Sequence, residues 1–390
     1  MKKIVICILT GVVLVASFQT GMTIARRRVL WNDEIYTQMS SVSQKTYKEM
    51  WAGRIQEGNV APFFYTLQKL LTNAVGYNTP DLWHTQTVYD RLLLRLNAVM
   101  FMSLTVALLF GYFARRYSLG MGFYLLFLTA SSFMVWSYWA EARPYSLWVF
   151  LTACQSLLFL EGVVKGRQAK NALSTRYWMA LSLVHVALSL TVVFSLAQVV
   201  IVSLLLWIWA DRRWSPYVPG CVIPCGLALF YYAHSPRYSF WFNLTPEQLI
   251  RDCFSRDRFY ILFIYLFWLG VGYGLTKWPR KGRWTVVRPE VLYPQAGPYA
   301  ALTILMLLAA FTVIVIFKWQ ETPGEGFPIA SRYFIYLTPI GVIATALLSR
   351  AVFLALAVNR WVQLLVTSGM GYLLAHRFWK MIAHIQFMLK

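Results

Sequence analysis

Asp33 and Glu34, within Trp31-Asn32-Asp33-Glu34-Ile35-Tyr36, are the first residues whose types and spacing could do chemistry. Adjacent carboxylates repel, so a partly desolvated pair tends to carry one raised pKa. Such a group can act as a general base on an attacking hydroxyl. The plainer reading is a pair of acids that open a short interfacial helix and are stabilised by its first N–H groups. A second stretch, Glu141-Ala142-Arg143-Pro144-Tyr145, falls where an apolar run breaks. Pro144 suits the first turn of the helix that follows, which sets Arg143 at that helix's start. An arginine fork beside free backbone N–H groups suits a phosphate. An ion pair between Glu141 and Arg143 would instead only anchor the interface. Ser331-Arg332-Tyr333 repeats the pairing of cation and aromatic late in the chain, after a loop holding Gly324, Gly326 and Pro328. Its plainer reading is interfacial snorkelling. Lys318 is a weaker candidate for the same anion.

The elements that must position these residues are membrane spans. The chain has 390 residues, 58% of them hydrophobic and only 13% charged, against about 25% charged in soluble domains. Mean hydropathy is +0.53, and apolar runs of about 20 residues recur throughout, as in transmembrane helices. The 17 tryptophans suit aromatic belts at both membrane faces. An all-α polytopic membrane protein is expected. The net charge of +21 does not point to nucleic acid, because Lys and Arg lie in short loops and form no stripe or patch. Loops facing the cytoplasm collect them, and anionic headgroups attract them. Cys7, Cys154, Cys221 and Cys225 lie in or beside apolar runs, and only Cys253 is loop-borne, so no disulfide framework is expected. The five histidines are scattered without metal-ligand spacing.

Apolar length and short-loop charge give an alternating map. A first span, Ile4 to Ile24, follows Lys2-Lys3. It has signal-peptide features, but its apolar character continues past signal length. An extracytoplasmic segment, 26–89, follows, in which Met50, Trp51 and Ile55 and then Phe63 to Leu71 recur at helical intervals. These predict amphipathic helices in the interface plane, broken at Pro62. Further spans are expected over Leu92–Ala114, Leu119–Trp139, Pro144–Leu160, Tyr177–Leu190, Val192–Ala210, Tyr217–Ala233, Phe259–Leu275, Tyr299–Phe317 and Tyr333–Leu348, with one or two more after Arg350. That makes about eleven in a single domain, 1–390. On this map Glu161, Asp211 and Glu290 lie inside, and the other twelve acidic residues lie outside with the three motifs. Arg26-Arg27-Arg28, just outside the first span, runs against the usual bias of positive charge to the inside. The spans read as nearly free of charge, with site-like residues at one face. A transporter would place ionisable residues at the midplane, so the pattern favours an interfacial enzyme.

The acidic pair in the first outer loop, Glu-Ala-Arg-Pro-Tyr opening a middle span and Ser-Arg-Tyr opening a late one together resemble the membrane-embedded GT-C glycosyltransferases. The similarity is greatest to the branch of protein O-mannosyltransferases, the lipid A aminoarabinose transferase and the bacterial Rgt-type sugar transferases, and it extends to about Arg350. The resemblance implies a GT-C-like bundle and inverting transfer of a sugar from a polyprenyl-phosphate donor to an extracytoplasmic acceptor, in a bacterial inner membrane with the site facing the periplasm. It matches Asp33 to the catalytic base and Glu34 to its companion. Arg143, Arg332 and Lys318 would lie near the lipid phosphate, with Glu141, Tyr145 and Tyr333 lining the site. No cofactor is required, although Mg or Mn could sit at Asp33 and Glu34, since hard cations prefer carboxylate oxygen. Membrane lipid and the donor are the expected partners. Two departures stand out. Val60-Ala61-Pro62 replaces a His-Pro-Pro-like motif, and no large soluble C-terminal domain is present. The alternatives are a transporter or flippase, or an inactive relative that binds a lipid-linked sugar.

Overall fold

A computed structural model describes residues 2–55, 57, 61–168, 173–234, 296–319, 331–355 and 360–388. These residues are helical apart from their connections, with no strand among them. Among them, four helices are long and apolar enough to cross a bilayer: α1 (Lys2–Arg27), α5 (Val88–Arg116), α8 (Tyr145–Gln168) and α12 (Ala296–Trp319). The first polar segment holds α2 (Asn32–Tyr36), which runs into a π-helical stretch over Thr37–Ser43, then α3 (Tyr47–Trp51) and α4 (Phe63–Ala74). Shorter apolar helices pack around these among the described residues. They are α6 (Leu119–Ala130), α7 (Phe133–Tyr138), α9 (Thr175–Ser189), α10 (Ser195–Trp209), α11 (Ile223–His234) after a π turn at Val218–Val222, and α13 (Leu337–Ala355). The C-terminal stretch forms one helix, α14 (Arg360–Met388). The expected span at Phe259–Leu275, its flanking loops and the glycines before Ser331 lie outside the described residues.

Local chemistry explains where the boundaries depart from expectation. α5 begins at Val88 rather than Leu92 because Thr87 and Asp90 form a capping box. The Thr87 hydroxyl accepts from the Asp90 N–H at 3.2 Å, and the Asp90 carboxylate accepts from the Thr87 N–H at 2.7 Å. The expected continuous span Leu119–Trp139 is broken at two serines. Ser131 Oγ donates back to the Leu128 carbonyl at 2.8 Å, and Ser132 Oγ caps the next helix by accepting from Val135 N.

α1 runs antiparallel along α5. A Cβ on Gly21 would come within 2.6 Å of Val99, and one on Gly111 within 2.9 Å of Thr10, so the two backbones are closely apposed at both ends. α5 also packs on α6 and α8, and α10 on α12. The core between them is apolar and aromatic, with Trp148, Tyr145, Tyr299 and Phe159 buried. α4 is tied directly to the bundle. Phe63 N and Ala61 N donate to the Leu190 and Thr191 carbonyls at the end of α9, at 2.8 and 3.2 Å. Gln68 then bridges to α5 through the Leu94 carbonyl and the Asn97 amide. The polar segment is thereby fastened over one end of the bundle.

Candidate active site

The three stretches meet at that end. Arg143 Nη1 donates to Asp33 Oδ2 at 2.6 Å, and Arg332 Nη1 meets the same oxygen at 2.8 Å. Both arginines are nearly buried, whereas the Asp33 side chain keeps 34% of its surface open. Arg143 occupies the position the proline implies. The Pro144 carbonyl accepts the first helical bond of α8, from Trp148 N at 2.9 Å, so Arg143 stands just ahead of the helix. Arg332 lies in a 3₁₀ turn, Ser331–Phe334, ahead of α13. Tyr145 and Tyr333 flank the cluster. The Arg143 guanidinium lies 5.2 Å from the Tyr145 ring, and that of Arg332 lies 5.9 Å from Tyr333 and 5.5 Å from Trp31. Aromatic faces so placed fix a guanidinium's plane and favour its charge.

Asp33 and Glu34 do not share a site. Glu34 is buried and bound on all sides. Its Oε1 accepts from Arg95 Nε at 2.8 Å and Ala142 N at 2.7 Å, and its Oε2 from Arg95 Nη2 at 2.5 Å and Trp31 N at 3.2 Å. Arg95 also donates to the carbonyls of Ala25, Arg28 and Val29, where α1 ends. This pair ties α1, α2, α5 and the loop before α8 into one frame, and Asp33 projects from that frame. The repulsion expected between the neighbours is relieved because each carboxylate has its own arginines. Arg95 also corrects the reading that the spans are nearly free of charge, since it is a fully buried cation inside α5.

Two further acids complete the surroundings. Glu57, which the sequence reading passed over, accepts Arg143 Nη2 at 3.1 Å. Its other oxygen accepts from Thr37 Oγ1 at 2.7 Å and Ser41 Oγ at 3.0 Å. The π-helical stretch after α2 brings these two hydroxyls, four residues apart, to one carboxylate. π turns of this kind are frequent at functional sites. Tyr65 is buried beside Glu57, and burial together with that carboxylate raises its pKa well above the usual tyrosine range. Glu141 is 4% exposed, and its Oε1 has no hydrogen-bond partner. Burial pushes its carboxyl up to about 8, against the pull of Arg143. It is therefore mostly protonated at neutral pH. Lys318 lies in the last turn of α12, and its side chain is outside the described residues.

A divalent cation fits poorly at Asp33 and Glu34. Glu34 spends both oxygens on Arg95 and backbone N–H groups, and two guanidinium groups crowd Asp33 Oδ2. Among the described residues no group of three or more His, Cys, Asp or Glu could hold a metal ion. Chemically, the cluster can bind an anion on two fixed guanidinium groups and accept a proton on the carboxylate between them. Compared with models of known protein families and with curated protein sequences, the chain matches none.

Proposed function

We propose that this chain is an inverting glycosyltransferase of the GT-C kind. It would transfer a sugar from a polyprenyl-phosphate donor to an extracytoplasmic acceptor at the surface of a bacterial inner membrane, within a bundle of about eleven spans. The observation that carries the reading is the convergence of Arg143 and Arg332, from distant parts of the chain, on one oxygen of a partly open carboxylate. A leaving lipid phosphate needs two such cations, and an attacking hydroxyl needs such a base.

The charges suggest how the two roles are coupled. In the resting cluster Asp33 and Glu57 balance Arg143 and Arg332, with Glu141 neutral. The acceptor hydroxyl attacks the anomeric carbon as its proton passes to the Asp33 carboxylate. The bond from that carbon to the phosphate oxygen breaks, and the electron pair leaves on the lipid phosphate. Protonation cancels the charge of Asp33, so the field of both arginines turns to the phosphate as its own charge grows. Fixed donors aimed at developing charge are often the largest single contribution to catalysis. The donor's prenyl tail would lie in the grooves between spans.

The test is transfer of labelled sugar from a panel of polyprenyl-phosphate sugars into membranes carrying wild type, Asp33→Asn or Arg143→Gln. Asp33→Asn is expected to lose about 10²–10⁴-fold in rate, the range for a general base, while still binding donor. Transfer by Asp33→Asn at the wild-type rate would remove Asp33 from its role. Donor binding without transfer in every protein would favour a flippase or an inactive relative.

A further inference from the structure

We infer that the opposite end of the bundle holds a binding site for an anionic glycerophospholipid, with Arg213 on the phosphate and one acyl chain in a slot beside α9. A cavity of about 490 Å³ lies between the first half of α9, the connection after α10 and the π turn at Val218–Val222. Its walls include Trp178, Met179, Ser182, Leu183, Arg213 and Pro219. The far end of α9 carries the carbonyls that fasten the active-site segment. The Arg213 end of the cavity, held at Leu173, is thus separated from the fastening carbonyls by the full 15-residue helix, roughly 22 Å along its axis. In a membrane that places it at the other interface.

The cavity has the chemistry of a lipid site. Arg213 is held rigidly, with Nε and Nη2 on the Asp211 carboxylate at 2.9 and 2.6 Å and Nη2 also on the Leu173 carbonyl at 2.6 Å. Asp211 is itself buried and fixed by Trp178 Nε1 and Leu173 N. The Arg213 side chain nonetheless stays 52% exposed, and Nη1 is outside this knot. Arg212, exposed beside it, adds a second positive charge. A preset guanidinium at the mouth of an interhelical pocket suits a phosphodiester headgroup. Below it the wall is apolar and open sideways, because Met179 is 55% and Leu183 70% exposed. An acyl chain can enter there from the bilayer without leaving the hydrocarbon. Ser182, in the same wall, is small enough to leave the slot open. The exposed Trp214 beside Arg213 is the kind of indole that settles at headgroup level. The inference needs the chain to lie in a bilayer, but it does not need sugar transfer.

The test is native mass spectrometry of the detergent-purified full chain with phosphatidylglycerol or phosphatidylcholine at equal concentration. Wild type should retain phosphatidylglycerol preferentially. Arg213→Gln and Ser182→Phe, which fills the slot, should each cut that retention about fivefold or more, and leave phosphatidylcholine unchanged. Ser182→Phe keeps the Arg213–Asp211 knot, so it covers the case in which Arg213→Gln fails to fold. Equal retention of the two lipids by wild type, or undiminished phosphatidylglycerol on Ser182→Phe, would overturn the inference. So would displacement of the lipid by inorganic phosphate at the same concentration, because the headgroup alone would then carry binding. Recovery of wild type in carbonate-washed membranes tests embedding separately.

Discussion

Replacing Arg95 by Met tests whether one buried ion pair holds the frame from which Asp33 projects. Met roughly preserves side-chain length, so the cavity contribution is small and the electrostatic loss dominates. Arg95 is fully buried and serves both oxygens of Glu34 and three carbonyls at the end of α1. Removing one partner of a buried pair costs about 3–5 kcal/mol, because the other charge is left uncompensated. Glu34 would keep only the N–H groups of Trp31 and Ala142. The three carbonyls add about 1 kcal/mol each if they stay dry. They lie at a helix end, where water can replace the lost donor, so the expected total stays near 4 kcal/mol, on the order of the pair cost alone. Glu34→Gln should be less damaging, because Arg95 keeps its three carbonyls. The double variant removes both charges and should recover on the order of 2 kcal/mol relative to the sum of the singles. Unfolding in mixed micelles with a denaturing detergent, followed by helical circular dichroism, gives all four stabilities. An Arg95→Met cost below about 1 kcal/mol, with no coupling to Glu34→Gln, would mean that the pair is hydrated and the frame is held by packing.

Three other outcomes follow from the same geometry. Glu141 has its pKa raised from 4.5 to about 8, so the folded chain holds a proton there that the unfolded chain releases from about pH 4.5 upward. Stability should therefore fall between about pH 5 and 8, on the order of a few kcal/mol in all. Glu141→Gln should match wild type at about pH 4 and exceed it at pH 8.5 in thermal melts, and parallel curves would refute the shift. Glu57→Gln should keep the bonds to Thr37 and Ser41 but weaken the hold on Arg143, lowering transfer about tenfold with little change in melting. An unchanged rate would show that Arg143 is set without Glu57. Finally, Gly166→Ala should cost about 1–3 kcal/mol, since its methyl would collide with the backbone of Ala210. Gly11→Ala, in open space within α1, should stabilise by up to about 1 kcal/mol, and equal effects at the two positions would refute the packing of α8 on the end of α10.

What could be read from the sequence depended on where a polar residue stands relative to apolar runs. Asp33, Arg143 and Arg332 were legible because each sits at the edge of such a run, where a charge is costly and therefore informative. The helices were legible for the same reason, but their interruptions were not. Ser131 and Ser132 look like ordinary small residues in a span until their hydroxyls are seen closing one helix and capping the next. Arg95 had a signal that was missed. Once Thr87 and Asp90 are recognised as a capping box, α5 starts at Val88, and Arg95 falls two turns inside the helix, where an arginine demands a partner. That partner had to be an acid at the same end of the bundle, and Glu34 was already singled out, though as a companion of Asp33 rather than as a partner for Arg95. Glu57 offered no such handle. It lies in a polar stretch without periodicity, and its tie to Arg143 spans 86 positions. Only the docking of α4 on the end of α9, and the π turn that aims Thr37 and Ser41, bring it to the site. The residues of the cluster that border apolar runs therefore show in the sequence, whereas those approaching from the polar segment become visible only when that segment is folded.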